Sequence, residues 1–193
     1  VEVLTLYAFS IENWKRPEAE VHTLMRLLDE FLTRELPTLL KNQVGLNILG
    51  RVDGLPKKIQ KHLIAVCKET RPNAKMVLNL ALNYGGRAEI VDAARALAEE
   101  VKAGKIKSSQ IDETLFGKRL YTQEFPDPDL LIRTSGELRI SNFLLWQISY
   151  AELYVTPTLW PNFGKKNFIQ AIEEYQSRER RFGATRAPKK ESK

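Results

Sequence analysis

"AKMVLNLALNYGGRAEIVDAARALAEEVK", residues 74–102, changes character at its middle. Up to Leu82 it is an apolar run of the kind that forms a strand buried on both faces, and from about Arg87 to Lys102 it reads as a helix, with the glycine pair 85–86 as the turn between. Reading outward, the unit recurs. "VEVLTLYAF" (1–9) mixes β-branched, leucine and aromatic residues and suits a strand. Val21, Leu24, Leu28, Phe31 and Leu32 follow helical spacing, with Met25 and Leu27 widening the face, so a long helix is expected from about Glu18 to Leu36, bent or ended by Pro37. Further strands are expected at 44–52, 129–134 and 150–156, and helices near 56–70 and 166–182. Strands alternating with helices imply an α/β fold: a single domain with a mostly parallel central sheet flanked by helices.

Composition narrows the chemistry. The chain has 193 residues, 43% hydrophobic and 28% charged, which suits one substantial core. A single cysteine, Cys67, excludes an internal disulfide, and His22 and His62 give no zinc spacing, so any metal needs oxygen ligands. No apolar run reaches the roughly 20 residues of a spanning helix, and no signal peptide precedes the first strand; the cytoplasm is the expected location. Net charge is +6, but residues 165–193 hold nine Lys/Arg against four Asp/Glu, five of those six charges. The body is nearly neutral, which argues against general nucleic-acid binding. Residues 184–193 read as a basic, disordered tail.

In parallel α/β sheets ligands bind outside the carboxyl ends of the strands. Three polar segments fall there: "SIENWKRP" after the first strand, "NYGGRAE" after the third and "RTSGELRIS" after the fourth. The last sets Arg133 and Arg139 around a turn at Gly136, with Ser135 and Ser141 beside them. Two guanidinium forks of this kind suit a diphosphate, although the same arginines would also serve as a turn paired with Glu137 or Glu152. "NYGGRAE" reads either as a phosphate cradle at a helix start or as a plain glycine turn, with Asn83 and Arg87 as lesser candidates. In the first segment Trp14 lies among Ser10, Glu12, Asn13, Lys15 and Arg16, an odd place for a tryptophan. It suits either a capping loop or a cover for an apolar substrate, with Asn13 orienting a reacting group.

Taken together and in order, "LTLYAFSIENWKRP", "LNYGGRAEIV", "DLLIRTSGELRISNFLLWQISYAELYVTPTLWPNF" and "RERRFG" resemble the cis-prenyltransferases of the bacterial undecaprenyl diphosphate synthase type, over residues 1–183. The resemblance implies repeated condensation of isopentenyl diphosphate onto an allylic diphosphate such as farnesyl diphosphate, giving a Z-polyprenyl diphosphate such as undecaprenyl diphosphate, the lipid-carrier precursor of cell-wall synthesis. It implies that Arg133, Arg139 and Ser141 hold the isopentenyl diphosphate and that Glu152 helps to hold Mg²⁺. Ser10, Asn13, Trp14 and Arg16 then cover the reacting ends, with Asn13 assisting proton removal, and Glu20 belongs to substrate closure. The resemblance further implies that Arg181 and Gly183 reach across a homodimer interface.

An apolar tunnel lined by the long helix and the strand at 74–82, with Met76 at its floor, would hold the growing chain. Each added five-carbon unit would contribute roughly 3–4 kcal/mol at about 0.8 kcal/mol per CH₂. By the same resemblance, a lipid product would place the enzyme in the cytoplasm, peripheral at the inner face of the membrane. Family members also carry an Asp-Gly-Asn-Gly-Arg turn that this chain does not contain, so the resemblance implies a preceding strand, loop and helix, and residues 1–193 alone are expected to be poorly soluble and inactive. A non-catalytic partner subunit is the alternative, against which the set Asn13, Arg133, Arg139 and Glu152 speaks.

Overall fold

The computed structural model describes residues 1–178. Ten helices and strands follow in chain order: β1 (Val3–Ser10), α1 (Glu18–Lys41), β2 (Val44–Leu49), α2 (Lys57–Thr70), β3 (Met76–Tyr84), α3 (Gly86–Lys102), α4 (Glu113–Gly117), β4 (Leu130–Arg133), β5 (Glu152–Val155) and α5 (Lys165–Ser177). They form two compact units, residues 1–126 with 142–146, and residues 127–141 with 147 onward.

In the first unit the run singled out above is the central strand. β3 lies between β1 and β2 and pairs with both in parallel, which is why its residues from Asn79 to Tyr84 are all buried. Register is marked by a polar row, because Thr5, Asn79 and Asn47 are cross-strand partners. Asn47 Nδ2 donates to Asn79 Oδ1 at 2.8 Å, and Asn79 Nδ2 donates to Thr5 Oγ1 at 3.4 Å. A one-residue slip would break this row and turn every neighbouring apolar side chain over.

α1 and α2 cover the sheet with a shared apolar layer of Met25, Leu32, Leu39, Ile59, Leu63 and Val66 against Leu46, Leu80 and Leu82. Burying each such side chain is worth about 1.5–3 kcal/mol. At the helix seam Asp29 takes a bond from Lys58 at 2.6 Å and meets His62 Nδ1 at 2.7 Å, and these contacts hold its carboxyl below the usual range.

Of the two outcomes expected at Pro37, it does not end α1: the helix runs through it to Lys41. The missing N–H costs one bond, but Leu39 beyond it is buried and Leu36 packs against the core, so tertiary burial outweighs the local penalty. β2 ends at Leu49, three residues earlier than expected, because Gly50 turns the chain with φ +126°.

The second unit is smaller. β4 and β5 pair in parallel with Leu130 opposite Glu152 and Arg133 opposite Val155, and α5 follows. The expected final helix of 166–182 begins at Lys165 and ends at Ser177, shorter than expected, because Arg178 takes an extended backbone; Arg181 and Gly183 lie outside the described residues. Among the described residues no helix is long and apolar enough to cross a membrane.

Candidate active site

Because β1, β2 and β3 are parallel, their carboxyl ends deliver three loops to one side of the first unit's sheet. After β1 the chain forms a short 3₁₀ helix, Ile11–Lys15. Asn13 closes it from the side chain: its Oδ1 accepts the Ser10 N–H at 2.8 Å. Trp14, next along, donates its indole N–H to Asn83 Oδ1 at 2.7 Å and stands edge-on to Phe9, with ring centroids 5.1 Å apart. Arg16 Nη1 reaches Glu20 Oε1 at 2.7 Å across the start of α1, an exposed pair worth little for stability.

The glycines after β3 serve close approach. Gly86 N–H donates to Asn142 O at 2.7 Å, and Arg87 N–H donates to Asn142 Oδ1 at 2.9 Å. The first amides of α3 are therefore capped by Asn142, so the phosphate-cradle reading gives way to the glycine turn. A Cβ on Gly85 would lie 2.7 Å from Asn142 Nδ2, and one on Gly86 2.7 Å from Leu145 Cγ. Asn142 also donates from Nδ2 to Glu12 Oε1 at 2.9 Å. Burial works to raise the Glu12 pKa, but hydrogen bonds from its own backbone, Asn142 and Ser10, together with the Lys15 charge, leave it lowered.

Behind this corner Tyr84 and Glu89 are fully buried, Tyr84 Oη donating to Glu89 Oε2 at 2.5 Å. Tyr7 stacks on Phe143 at 4.6 Å, and burial with the nearby Glu12 charge pushes its phenol up to about 12. A polar cleft of about 490 Å³ lies beyond the end of β2, lined by Arg51, Asp53, Asp92, Arg95 and Tyr121 among others.

In the second unit, β4 ends on Arg133, whose Nε is buried without a hydrogen-bond partner among the described residues. The chain then turns through Ser135 and Gly136, both at φ +67°, pinned by Ser135 N–H to Thr158 O at 2.9 Å and Gly136 N–H to Thr156 O at 2.8 Å. Arg139 is exposed and pairs with Glu137. Ser141, at φ +50°, is exposed. Asn83, Ser135, Ser141, Asn142 and Leu144 all take left-handed backbone conformations, which cost free energy in non-glycine residues and gather at functional sites.

The sequence matches the family described as Prenyltransf, putative undecaprenyl diphosphate synthase, over residues 1–183. The chain belongs to this family. It is 52% identical over 186 residues to the isoprenyl transferase of Heliobacterium mobile, spanning 96% of this chain and 72% of that one. The Bacillus subtilis isoprenyl transferase is also 52% identical, over 183 residues, 95% of this chain and 70% of that one. Among solved structures, lavandulyl diphosphate synthase from Lavandula x intermedia, in complex with dimethylallyl diphosphate, superposes with a TM-score of 0.92 at 38% identity, covering 95% of this chain and 79% of that one. A probable undecaprenyl diphosphate synthase from Campylobacter jejuni does so with a TM-score of 0.84 at 38% identity, covering 95% and 84%. This prenyltransferase therefore has the mixed α/β fold of its family, with parallel strands and flanking helices.

Within the family frame, Ser10, Asn13, Trp14, Arg16 and Glu20 gather in the first unit; Arg133, Arg139, Ser141 and Glu152 belong to the second. The β4–β5 register sets Arg133 and Glu152 three residues apart along the strands and on opposite faces. Glu152 instead accepts Arg178 Nη1 at 2.9 Å, and Arg178 reaches Glu174 at 2.5 Å as well. Mg²⁺ takes near-octahedral oxygen ligands, commonly one or two carboxylates plus substrate phosphates. Among the described residues no group of three or more His, Cys, Asp or Glu side chains is placed to hold a metal, and Glu152 is already paired. The described side chains as folded do not make a fitted Mg²⁺ site, and Glu152 would have to leave Arg178 to take part in one.

Two contributors escaped sequence reasoning. Asn142 caps α3 and holds Glu12; its only sequence signal was its place directly after Ser141. Arg178 opens the "RERRFG" motif, but the resemblance gave a role there only to Arg181 and Gly183.

Proposed function

We propose that this prenyltransferase catalyses cis-prenyl chain elongation, adding isopentenyl diphosphate to an allylic diphosphate such as farnesyl diphosphate to give a long Z-polyprenyl diphosphate such as undecaprenyl diphosphate. The observation that carries the reading is the unspent, buried Nε of Arg133 beside a backbone-pinned turn that also bears Arg139 and Ser141. A buried guanidinium donor without a partner is costly, and an anionic oxygen would satisfy it with a charge-assisted bond. A ligand carrying a diphosphate fits this donor set, and the lavandulyl relative holds dimethylallyl diphosphate.

In this reading Arg133, Arg139 and Ser141 hold the isopentenyl diphosphate. A bond forms between the allylic carbon and the terminal carbon of the isopentenyl group as the allylic C–O bond breaks. Diphosphate leaves with that electron pair, and a proton is lost as the new Z double bond forms. Asn13 assists the proton's removal, and Ser10, Trp14, Arg16 and Glu20 cover the reacting ends so that water does not capture the allylic cation. The growing chain lies in a tunnel lined by α1 and β3, with Met76 at its floor.

A Mg²⁺ requirement belongs to the family reading, and Glu152 is the residue to test for it; no step above depends on the ion. The enzyme works as a homodimer at the membrane surface. Exposed Leu153, Val155, Leu159 and Trp160 in the second unit support a partner there. The test is incorporation of labelled isopentenyl diphosphate by the intact enzyme with farnesyl diphosphate and Mg²⁺. Arg133→Ala should abolish incorporation while leaving the circular dichroism spectrum intact, and Arg133→Lys should restore part of it. An Ala variant that incorporates label normally would remove Arg133, and the reading built on it.

A further inference from the structure

Trp14 stands in a polar loop with 38% of its surface exposed, so packing alone does not fix its ring. Its one described hydrogen bond runs to Asn83 Oδ1 at 2.7 Å. Asn83 is 7% exposed and commits the other end of its amide too, donating from Nδ2 to the Arg51 carbonyl at 2.8 Å. A flipped amide would set NH₂ against the indole N–H and oxygen against a carbonyl oxygen, so only one orientation satisfies both neighbours. The backbone at Asn83 is left-handed, φ +47°, a conformation asparagine tolerates better than most residues.

The turn behind it is shaped to receive the amide. A Cβ on Gly54 would fall 2.6 Å from Asn83 Nδ2, and a Cβ on Gly50, at φ +126°, would fall 2.1 Å from Leu82 O. Arg51, whose carbonyl takes the amide's N–H, is braced in turn by two bonds to Asp92 at 2.8 and 2.7 Å, and Asp92 accepts the Tyr121 hydroxyl at 2.5 Å.

We propose that Asn83 is a positioning residue for the elongation reaction, holding Trp14, and with it the Ile11–Lys15 turn that carries Asn13, in the orientation that covers the allylic substrate. Its purpose rests on the proposed function; its contact with Trp14 does not. Asn83→Gly is the informative variant, since glycine accepts the left-handed backbone freely and only the amide is lost.

In ¹H–¹⁵N spectra of the full chain, the Trp14 indole resonance, assigned by its disappearance in Trp14→Phe, should shift in Asn83→Gly and exchange with water about tenfold faster. In the intact enzyme kcat should fall about tenfold, the upper range for one lost hydrogen bond, while KM for isopentenyl diphosphate moves less than about threefold. Trp14→Phe should give a similar fall, and the double variant no further loss, because both changes remove the same contact. Asn83→Asp keeps an acceptor for the indole and should preserve its slow exchange, which carries the test if the glycine variant does not fold.

An indole resonance unmoved in Asn83→Gly overturns the proposal, as does a freed indole with unchanged kcat. Native enzyme that does not elongate at all defeats the functional reading and the purpose assigned to Asn83, and the indole resonance then decides the contact separately.

Discussion

Gly86→Ala tests whether the glycine pair exists for close approach. A methyl group there would lie 2.7 Å from Leu145 Cγ, 3.0 Å from Leu145 N and 3.1 Å from Leu145 Cβ. The leucine side chain can swing aside, but its backbone nitrogen cannot move without residues 142–146. That segment is tied down by Gly86 N–H to Asn142 O at 2.7 Å, Arg87 N–H to Asn142 Oδ1 at 2.9 Å and Asn142 Nδ2 to Glu12 Oε1 at 2.9 Å.

Overpacking of this kind costs about 1–3 kcal/mol. Alanine regains about 0.5–1 kcal/mol over glycine in a helix, so the net loss is about 0.5–2 kcal/mol. For a domain of this size that is a fall in Tm of roughly 2–6 °C. Gly117→Ala in α4 is the control, because nothing lies within 4 Å of its Cβ position. Thermal unfolding followed by circular dichroism reads both. A Gly86→Ala protein as stable as the Gly117→Ala control would refute the close-approach argument.

Other predictions are shorter. Arg139→Ala should raise KM for isopentenyl diphosphate about tenfold, equivalent to about 1.4 kcal/mol, since the side chain is exposed and its only described partner is Glu137; an unchanged KM would remove it from the diphosphate site. Glu152→Gln should raise the Mg²⁺ concentration needed for half-maximal activity, and Arg178→Gln, which releases the carboxylate, should lower it; if both variants lose stability with the Mg²⁺ titration unmoved, the Glu152–Arg178 pair is structural only. The Arg51 hydrogen bonds hold the Asp92 carboxyl below its ordinary value, against the opposing effect of burial and with help from Tyr121. A depressed carboxylate contributes stability that is complete above the unfolded value of about 4 and is lost as pH falls through the folded one. The acid-side fall of Tm should therefore flatten below about pH 4 in Asp92→Asn, and an unaltered acid limb would contradict this assignment.

The βα units were legible because buried parallel strands and amphipathic helices write distinct periods into the chain; β3 and α3 fell within two residues of their expected bounds. That α1 continues past Pro37 was not legible, because local rules cannot see that Leu39 just beyond it is buried. α4 was not foreseen, since a five-residue helix has no room for a period. At the site, Trp14 announced itself as an apolar ring in polar sequence, but its partner Asn83 was visible only once Asn83 took φ +47° and faced both the indole and Arg51. The Glu152–Arg178 pair joins β5 to the residue after α5, a tertiary contact with no local spacing to betray it.

The central claim is that the product is a lengthened chain with Z double bonds. The most direct measurement is to incubate the intact enzyme with farnesyl diphosphate and ¹³C-labelled isopentenyl diphosphate, size the products by mass spectrometry and read the new double bonds by NMR. Products longer than the 15-carbon primer by multiples of five carbons, with every added bond Z, are expected. Products with E bonds, or unchanged primer under conditions in which both substrates bind, would contradict the account.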